Sequence, residues 1–461
     1  MISEKKTYFV IIISFILSIT VSNIFINKYD SYEISTDSIE NHRIIKGDIP
    51  DIWIDGETIK RDLQNGVDYF SSGKEIFRSY LPPRLIAIYS YIANYNLFED
   101  WEKKIISSDN KKIYYLIFQS LFYYTILIFF FKKICKLYPI KNCFFIICFL
   151  SVEPTIFFFH SSFHTESIYF SLQILMLVLM LDDSTKNLKF IFVGILLGVM
   201  FLQKIVTIYY IIPISIFYIY KLKKKAVIPL SLIIFFYLLI LLMVGFGNYK
   251  RANIFYIMPP SSKITFHLYM PSEILSKGEK KSEIEASKQV NKDKEKWIKN
   301  NNINFNSEID RIKYYNYLQR YTFKILLKHP IITSKYIIWR TLQTGILNPF
   351  YVPEFFKFEN AKKPPYYLKD NYKKINLPIR IIYSTLLYSI VVFGFFTSRK
   401  IIKTEHYVLL TLSSLYMIGM LGWANNSRYF VPILIYLSIF FGNGMARIIE
   451  IKNSNSSHQE Y

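Results

Sequence analysis

The sequence predicts an all-α polytopic membrane protein of about ten transmembrane helices, and three observations carry that prediction. Of 461 residues, 52% are hydrophobic and 18% aromatic, more apolar surface than one soluble core takes up. That surface arrives in blocks near the length of about 20 residues that a helix needs to cross hydrocarbon. Lysine and arginine then concentrate in alternate short connections, as membrane topology requires.

The first block runs from about Thr7 to Ile26 behind a short basic start ending at Lys6. No small-residue cleavage site follows it and more blocks come later, so it reads as a retained first helix instead of a signal peptide. Further runs lie at 113–131, 142–159, 165–181, 189–203, 205–220, 226–247, 380–397, 406–423 and 429–446. With the N-terminus inside, Lys132, Lys133, Lys136 and Lys141 share one interior turn, Lys221, Lys223, Lys224 and Lys225 another, and Arg399, Lys400 and Lys403 a third. The short exterior turns contain only Lys204 and Arg428, and that contrast sets the orientation.

The chain therefore divides into a first transmembrane helix (1–26), an exterior loop (27–112), a transmembrane bundle (113–247), a large exterior loop (248–379), C-terminal transmembrane helices (380–446) and a cytoplasmic polar tail (447–461). In the first loop, Ile59, Leu63 and Val67 recur at helical spacing, and Leu81-Pro-Pro-Arg84 opens an apolar stretch to Leu97 that is too short to span. It reads as an interfacial helix. In the second, a charged portion from Glu273 to Lys299 precedes Ile312, Tyr315, Leu318, Tyr321 and Ile325, an amphipathic pattern expected to lie along the membrane.

A net charge of +22 would indicate nucleic acid in a soluble protein. Here topology and anionic lipid account for the cations, so the bilayer is the expected partner and nucleic acid is not. Cys135, Cys143 and Cys148 all fall in or beside one predicted helix pair, which argues against a disulfide framework. The chain also lacks a phosphate-cradling glycine-rich loop, a Cys-x-x-Cys pair and a Gly-x-Ser-x-Gly turn, so nucleotide phosphate chemistry is not supported.

Ionisable residues at the predicted outer ends of helices are the chemical signal, because charge beside hydrocarbon is costly. Glu153 and Glu166, with His160 and His164, surround one exterior helix–turn–helix. In a purely structural role, Glu166 would cap the next helix and Glu153 would pair with a buried lysine. The two histidines lack a third clear ligand for a metal. Lys204 stands where a lipid phosphate would lie, with snorkelling as its plainer explanation. Arg251 and Arg428, the latter followed by Tyr429, occupy the outer ends of two other spans. The first loop carries Asp30, Glu33, Asp37, Asp48, Asp51, Asp55, Glu57, Asp62 and Asp68, and a carboxylate of this kind can serve as the base in glycosyl transfer while a cation meets the leaving phosphate. A solvated face is the ordinary use of such a run.

Taken together, the pattern resembles the GT-C superfamily of membrane glycosyltransferases, particularly the bacterial branch related to protein mannosyltransferases and the lipid A aminoarabinose transferase. The likeness rests on the long exterior loop ending in Ser79-Tyr-Leu-Pro-Pro-Arg-Leu85, on Pro154 to Glu166, on Gly194-Ile-Leu-Leu-Gly198 through Lys204, and on Asn426-Ser-Arg-Tyr-Phe-Val-Pro432. It implies a GT-C-like bundle with two long exterior loops and a polyprenyl-phosphate sugar donor. The transfer it implies is inverting, onto a glycan, lipid or protein acceptor at the exterior face of a bacterial inner membrane. By the same resemblance the base comes from the first loop; Glu166, His164, Lys204, Arg251, Arg428 and Tyr429, read from their places at the outer helix ends, are the candidate substrate-binding residues. Many relatives carry an acidic pair directly after the first helix, whereas Asn27-Lys-Tyr-Asp30 supplies one acid. The base is therefore Asp30, Asp51 or Asp55, with Asp55 favoured because Asp55-Gly-Glu57 precedes the Pro-Pro element at a similar distance. No cofactor is demanded, and acids alone are compatible with a divalent cation or with none. A polysaccharide polymerase or ligase, and a transporter or flippase of lipid-linked glycans, are the competing functions. Against transport, the chain shows no repeated half.

Overall fold

The structure is a computed structural model that describes residues 3–29, 48–65, 80–94, 98–100, 105–106, 112–160, 166–258, 270–305, 307–342, 366–399, 401–421 and 431–457. Helix α1 (Glu4–Tyr29) enters the bundle, α2 (Asp48–Gln64) and α3 (Leu81–Ile92) follow it, and a short antiparallel pair, Phe98–Asp100 with Ile105–Ile106, precedes α4 (Lys112–Ile134). The bundle continues with α5 (Ile140–Val152), α6 (Pro154–His160), α7 (Glu166–Met180), α8 (Asn187–Gln203), α9 (Ile211–Leu222) and α10 (Val227–Ala252). Four helices, α11 (Pro271–Glu279), α12 (Glu283–Asn300), α13 (Glu308–Lys328) and α14 (Pro330–Leu342), build the second long loop. The chain closes with α15 (Tyr366–Ser398), α16 (Thr404–Leu421) and α17 (Val431–Ser457).

Among the described residues, five apolar helical stretches are long enough to cross a membrane: Glu4–Asn23, Ile113–Ile134, Ile205–Ala252, Ile381–Ser398 and Pro432–Ser454. Among the described residues each expected span falls on helix, but the runs 165–181 and 189–203 are helices of 15 and 17 residues, shorter than the five above, and two further runs differ in form. The run 142–159 breaks between α5 and α6, because Pro154 has no N–H to continue the α5 ladder and instead opens α6. The run 205–220 begins as a 3₁₀ turn (Ile205–Tyr209), and α9 has only 12 residues, short of a full crossing.

Alpha-helix α1 shows how the bundle is sorted. Thr7, Ile11, Ser14, Ser18 and Ser22 are buried while Phe9, Ile12, Ile16 and Leu17 are exposed, so small polar residues face protein and bulky apolar ones face lipid. The Ser18 and Ser120 hydroxyls meet at 3.1 Å across α1 and α4. The central helix is α17, packed on α5, α15 and α16. Asn142 of α5 donates to Asn443 at 2.6 Å, and Asn443 donates to Ser398 at 2.8 Å, a buried polar ladder through three helices. The approach of α15 to α17 depends on glycine: a Cβ at Gly394 would stand 1.8 Å from the Phe440 carbonyl oxygen.

The three basic turns meet at one end of the bundle. Lys133 reaches Asp182 at 2.5 Å, and Lys221 and Lys403 each reach Asp183 at 2.9 Å. Hydrogen bonds from Lys403 and Lys221 hold the Asp183 carboxyl well below the usual carboxylate range. That the lysines of three separate turns converge here is independent support for counting those turns on the same side.

The second loop is a helical module with a core of its own. Met270, Ile274 and Leu275 pack with Ala286, Val290, Ile325, Leu326 and Tyr336. The apolar face of α13, expected to lie along the membrane, is buried at Ile312, Tyr315, Leu318 and Ile325, so protein covers it. The exposed apolar side chains of α13 and α14 instead include Phe323, Leu327, Ile331, Ile338 and Trp339. Ser282 and Glu285 form a capping box at the start of α12. Glu279 accepts from Lys281 at 2.7 Å and Lys328 at 2.6 Å, which holds its carboxyl down at about 2.

Two outcomes follow from these contacts. Gly394→Leu drives a side chain into the α17 backbone and is expected to cost at least the 1–3 kcal/mol typical of overpacking, roughly, whereas Gly419→Ala, which meets nothing within 4 Å, leaves thermal stability in detergent unchanged or raised. The Glu279 pairs contribute to the module above the carboxyl's ordinary value of 4.5 and are lost as pH falls toward about 2. Limited proteolysis of the module, followed across that interval, is expected to accelerate on acidification and to stay constant above it.

Candidate active site

At the start of α3, Pro82 and Pro83 set the first helical turn, where an absent N–H costs nothing, and α2 packs against that turn. The contact is close: a Cβ at Gly56 would come within 2.7 Å of Ile86 and 3.0 Å of the Pro83 carbonyl. The acid-bearing Asp55-Gly-Glu57 element and the Pro-Pro element are thereby joined. Asp51 and Asp55 stand one turn apart on α2. Glu57 is buried, accepts from Arg61 at 3.3 Å, and keeps Oε2 without a hydrogen-bond partner among the described residues.

Tyr80, immediately before α3, packs against Val244 of α10 and Leu202 of α8. Its hydroxyl accepts from Asn248 at 2.8 Å, and Asn248 accepts in turn from Arg251 at 3.1 Å. The guanidinium also bonds Glu308, the first residue of α13, at 2.8 Å, and the Tyr256 hydroxyl, which donates to the same carboxylate at 2.8 Å. Burial pushes the Tyr80 and Tyr256 phenols above their ordinary range, so both remain neutral. All of these bonds fall on Nη2. Nε and Nη1 of Arg251 are buried with no partner among the described residues. Nε–H and the Nη1 N–H groups lie on different edges of the guanidinium, each edge shared with Nη2, so they are separate donors left for a phosphate or carboxylate.

Glu166 begins α7 and Lys204 ends α8, and the two form an ion pair with both side chains largely enclosed. Lys204 is thus drawn inward to a carboxylate instead of snorkelling. Glu153 takes the other structural part: its Oε2 accepts from the Ile156 N–H at 2.7 Å at the start of α6, and its Oε1 accepts from Thr155 at 3.1 Å and Tyr383 at 2.6 Å. The expected structural roles of the two glutamates are exchanged, because the α5–α6 break, unseen in an uninterrupted apolar run, creates free N–H groups that only Glu153 can reach. His160 is buried, stacked on Tyr123 with ring centroids 3.5 Å apart, and meets the Ser167 hydroxyl at 2.7 Å.

The structure therefore joins the α2 acids to α3, and α3 to Arg251, on one side, and pairs Glu166 with Lys204 on the other. Asp30, His164, Arg428 and Tyr429 lie outside the described residues. Tyr80 lies in the 79–85 segment that carries the resemblance, but had no role assigned from the sequence; Asn248, Tyr256 and Glu308 sit in none of the motifs that carry it, and Glu308 and Arg251 are 57 residues apart.

The signature of the Alg9-like mannosyltransferase family matches residues 70–307, more than half of the chain. Comparison with curated proteins finds no match. Among solved structures, the chain is similar to the archaeal oligosaccharyltransferase AglB from Archaeoglobus fulgidus in complex with an inhibitory peptide and a dolichol-phosphate. The TM-score is 0.50 at 11% identity, over 99% of this chain and 52% of that one, so the chain spans about half the length of AglB and the likeness is one of fold. The chain belongs to the Alg9-like mannosyltransferase family, and its multi-pass helical bundle is of the GT-C type.

Proposed function

We propose that the enzyme moves a sugar from a polyprenyl-phosphate donor to an exterior glycan, lipid or protein acceptor during synthesis of the cell envelope, in a bacterial inner membrane with both termini cytoplasmic. The observation that carries this reading is Arg251, whose Nε and Nη1 have no hydrogen-bond partner among the described residues and which lies in one cluster with Tyr80 beside the acid-bearing α2–α3 unit. A fold shared with a protein solved with dolichol-phosphate supports a lipid-phosphate donor.

In the transfer, an acid of the first loop takes the acceptor's O–H proton while that oxygen attacks the anomeric carbon. The bond from the anomeric carbon to the phosphate oxygen breaks, and polyprenyl phosphate leaves with the added negative charge, which Arg251 meets. Asp55 is the first choice for the base, with Asp51 and Asp30 as the other candidates, and the buried Glu57 joins them because its Oε2 has no hydrogen-bond partner among the described residues. Lys204 and Glu166 act as a unit that braces the start of α7 against the end of α8, so the leaving phosphate depends more on Arg251 than on Lys204. In this reading His164, Arg428 and Tyr429 contact substrate from the neighbouring turns.

The test uses purified enzyme, polyprenyl-phosphate mannose as the first donor, and a panel of glycan, lipid and peptide acceptors. Loss of the base is expected to lower kcat by about 100-fold or more, so Asp55→Asn, Asp51→Asn, Asp30→Asn and Glu57→Gln are compared singly. Unchanged transfer in all four removes the first loop from the chemistry.

Arg251→Lys keeps the charge but not the planar guanidinium, and is expected to reduce kcat/KM by roughly tenfold with the change centred on the donor. If acid-to-amide variants retain activity while Arg251→Ala abolishes it, the polymerase or ligase reading takes over.

A further inference from the structure

The basic end of the bundle holds a cavity of about 370 Å³, lined by Lys133, Lys136, Tyr138, Asp182, Asp183, Ser184, Lys403 and His406 with Leu137. It is separate from the Arg251 cluster, and nothing in the glycosyl transfer described above uses it.

Its ionic frame is already engaged. Asp182 takes Lys133, Asp183 takes Lys221 and Lys403, and Lys189 donates to the Asp182 and Ser184 carbonyls at 2.5 and 3.2 Å. Five lysines, Lys136 included, thus surround Asp182 and Asp183, and with Glu405 beside His406 the described charges still leave an excess of two positive charges. Two polar side chains remain over. Tyr138 is 5% exposed and His406 1% exposed, both line the cavity, and neither the Tyr138 hydroxyl nor His406 Nε2 has a hydrogen-bond partner among the described residues. The carboxylate nearest His406, Asp183, is 4.0 Å from Nε2, beyond bonding reach. A buried hydroxyl and a buried ring nitrogen left unpaired are costly, and a ligand that accepts from both removes that cost.

The excess charge selects an anion, and the position at the helix ends selects one that can sit at head-group depth. We propose that this cavity binds a phosphate-class anion, with Tyr138, His406 in its Nε2–H form and Lys136 as donors. The anion is either the phosphate of an anionic phospholipid or free phosphate; the donors required are the same.

The experiment uses the full chain in detergent, with thermal stability read against added dioctanoyl phosphatidic acid, dioctanoyl phosphatidylcholine and inorganic phosphate. Phosphatidic acid is expected to raise the melting temperature, phosphatidylcholine to leave it unchanged, and the Tyr138→Phe/Lys136→Gln variant to bind about tenfold more weakly. Stabilisation by inorganic phosphate as well identifies a soluble anion as sufficient; stabilisation by phosphatidic acid alone identifies a lipid. Lys136→Gln alone, at an exposed side chain outside the ion pairs, serves if the double variant does not fold. The proposal is overturned if neither phosphate source stabilises the chain, if phosphatidylcholine does so equally, or if the variants bind as the unaltered protein does. Transferase activity plays no part in these readouts, so the reading of the Arg251 cluster stands or falls separately.

Discussion

Hydrocarbon cannot replace the hydrogen bonds of water, so a backbone that crosses it must close its own bonds within helices and a side chain within it must find a protein partner or do without polarity. In this chain several polar groups at membrane depth are joined in pairs and ladders. The Ser18–Ser120 contact, the Asn142–Asn443–Ser398 ladder and the meeting of Tyr210 with Tyr436 and Ser413 at 2.5 and 2.9 Å each bind helices distant in sequence. Bulky apolar residues, which in a soluble protein would supply the interior, are free to face outward. Small residues then decide where helices touch, as Gly394 does on α15.

The same constraint pushes charge to the two ends of the bundle, where it is used in different ways. At the basic end, lysines from three turns are tied to Asp182 and Asp183. At the opposite end of α8, Lys204 is paired with Glu166, while Arg251 keeps Nε and Nη1 without a partner among the described residues. Arg251 spends a single nitrogen on Asn248, Tyr256 and Glu308, and that economy distinguishes an anchored cation with donors in reserve from a closed ion pair. Glu308 further makes the helical module of the second loop a partner of α10, so the module is tied to the bundle at the very residue proposed to receive the phosphate.

Membership of the Alg9-like mannosyltransferase family and a fold shared with AglB are the frame for the proposed transfer. The particular arrangement here, an acid-bearing α2 packed on the Pro82-Pro83 turn and that turn linked through Tyr80 to Asn248, gives a short structural route between the two halves of such a reaction.

The sequence by itself determined that the chain is a multi-pass helical protein, because run length and lysine distribution are local properties that the bilayer reads directly. It also located the acid-rich loop, the Pro-Pro turn, Glu166, Lys204 and Arg251. Tertiary structure alone decided which of these meet. The exchange of roles between Glu153 and Glu166, the burial of the α13 face that had the pattern of an interfacial helix, and the bond between Arg251 and Glu308 all depend on groups brought together across long stretches of chain. An amphipathic face is the same whether lipid or protein covers it, and a glutamate is the same whether it caps or pairs. The neighbours supplied by packing decide between those outcomes.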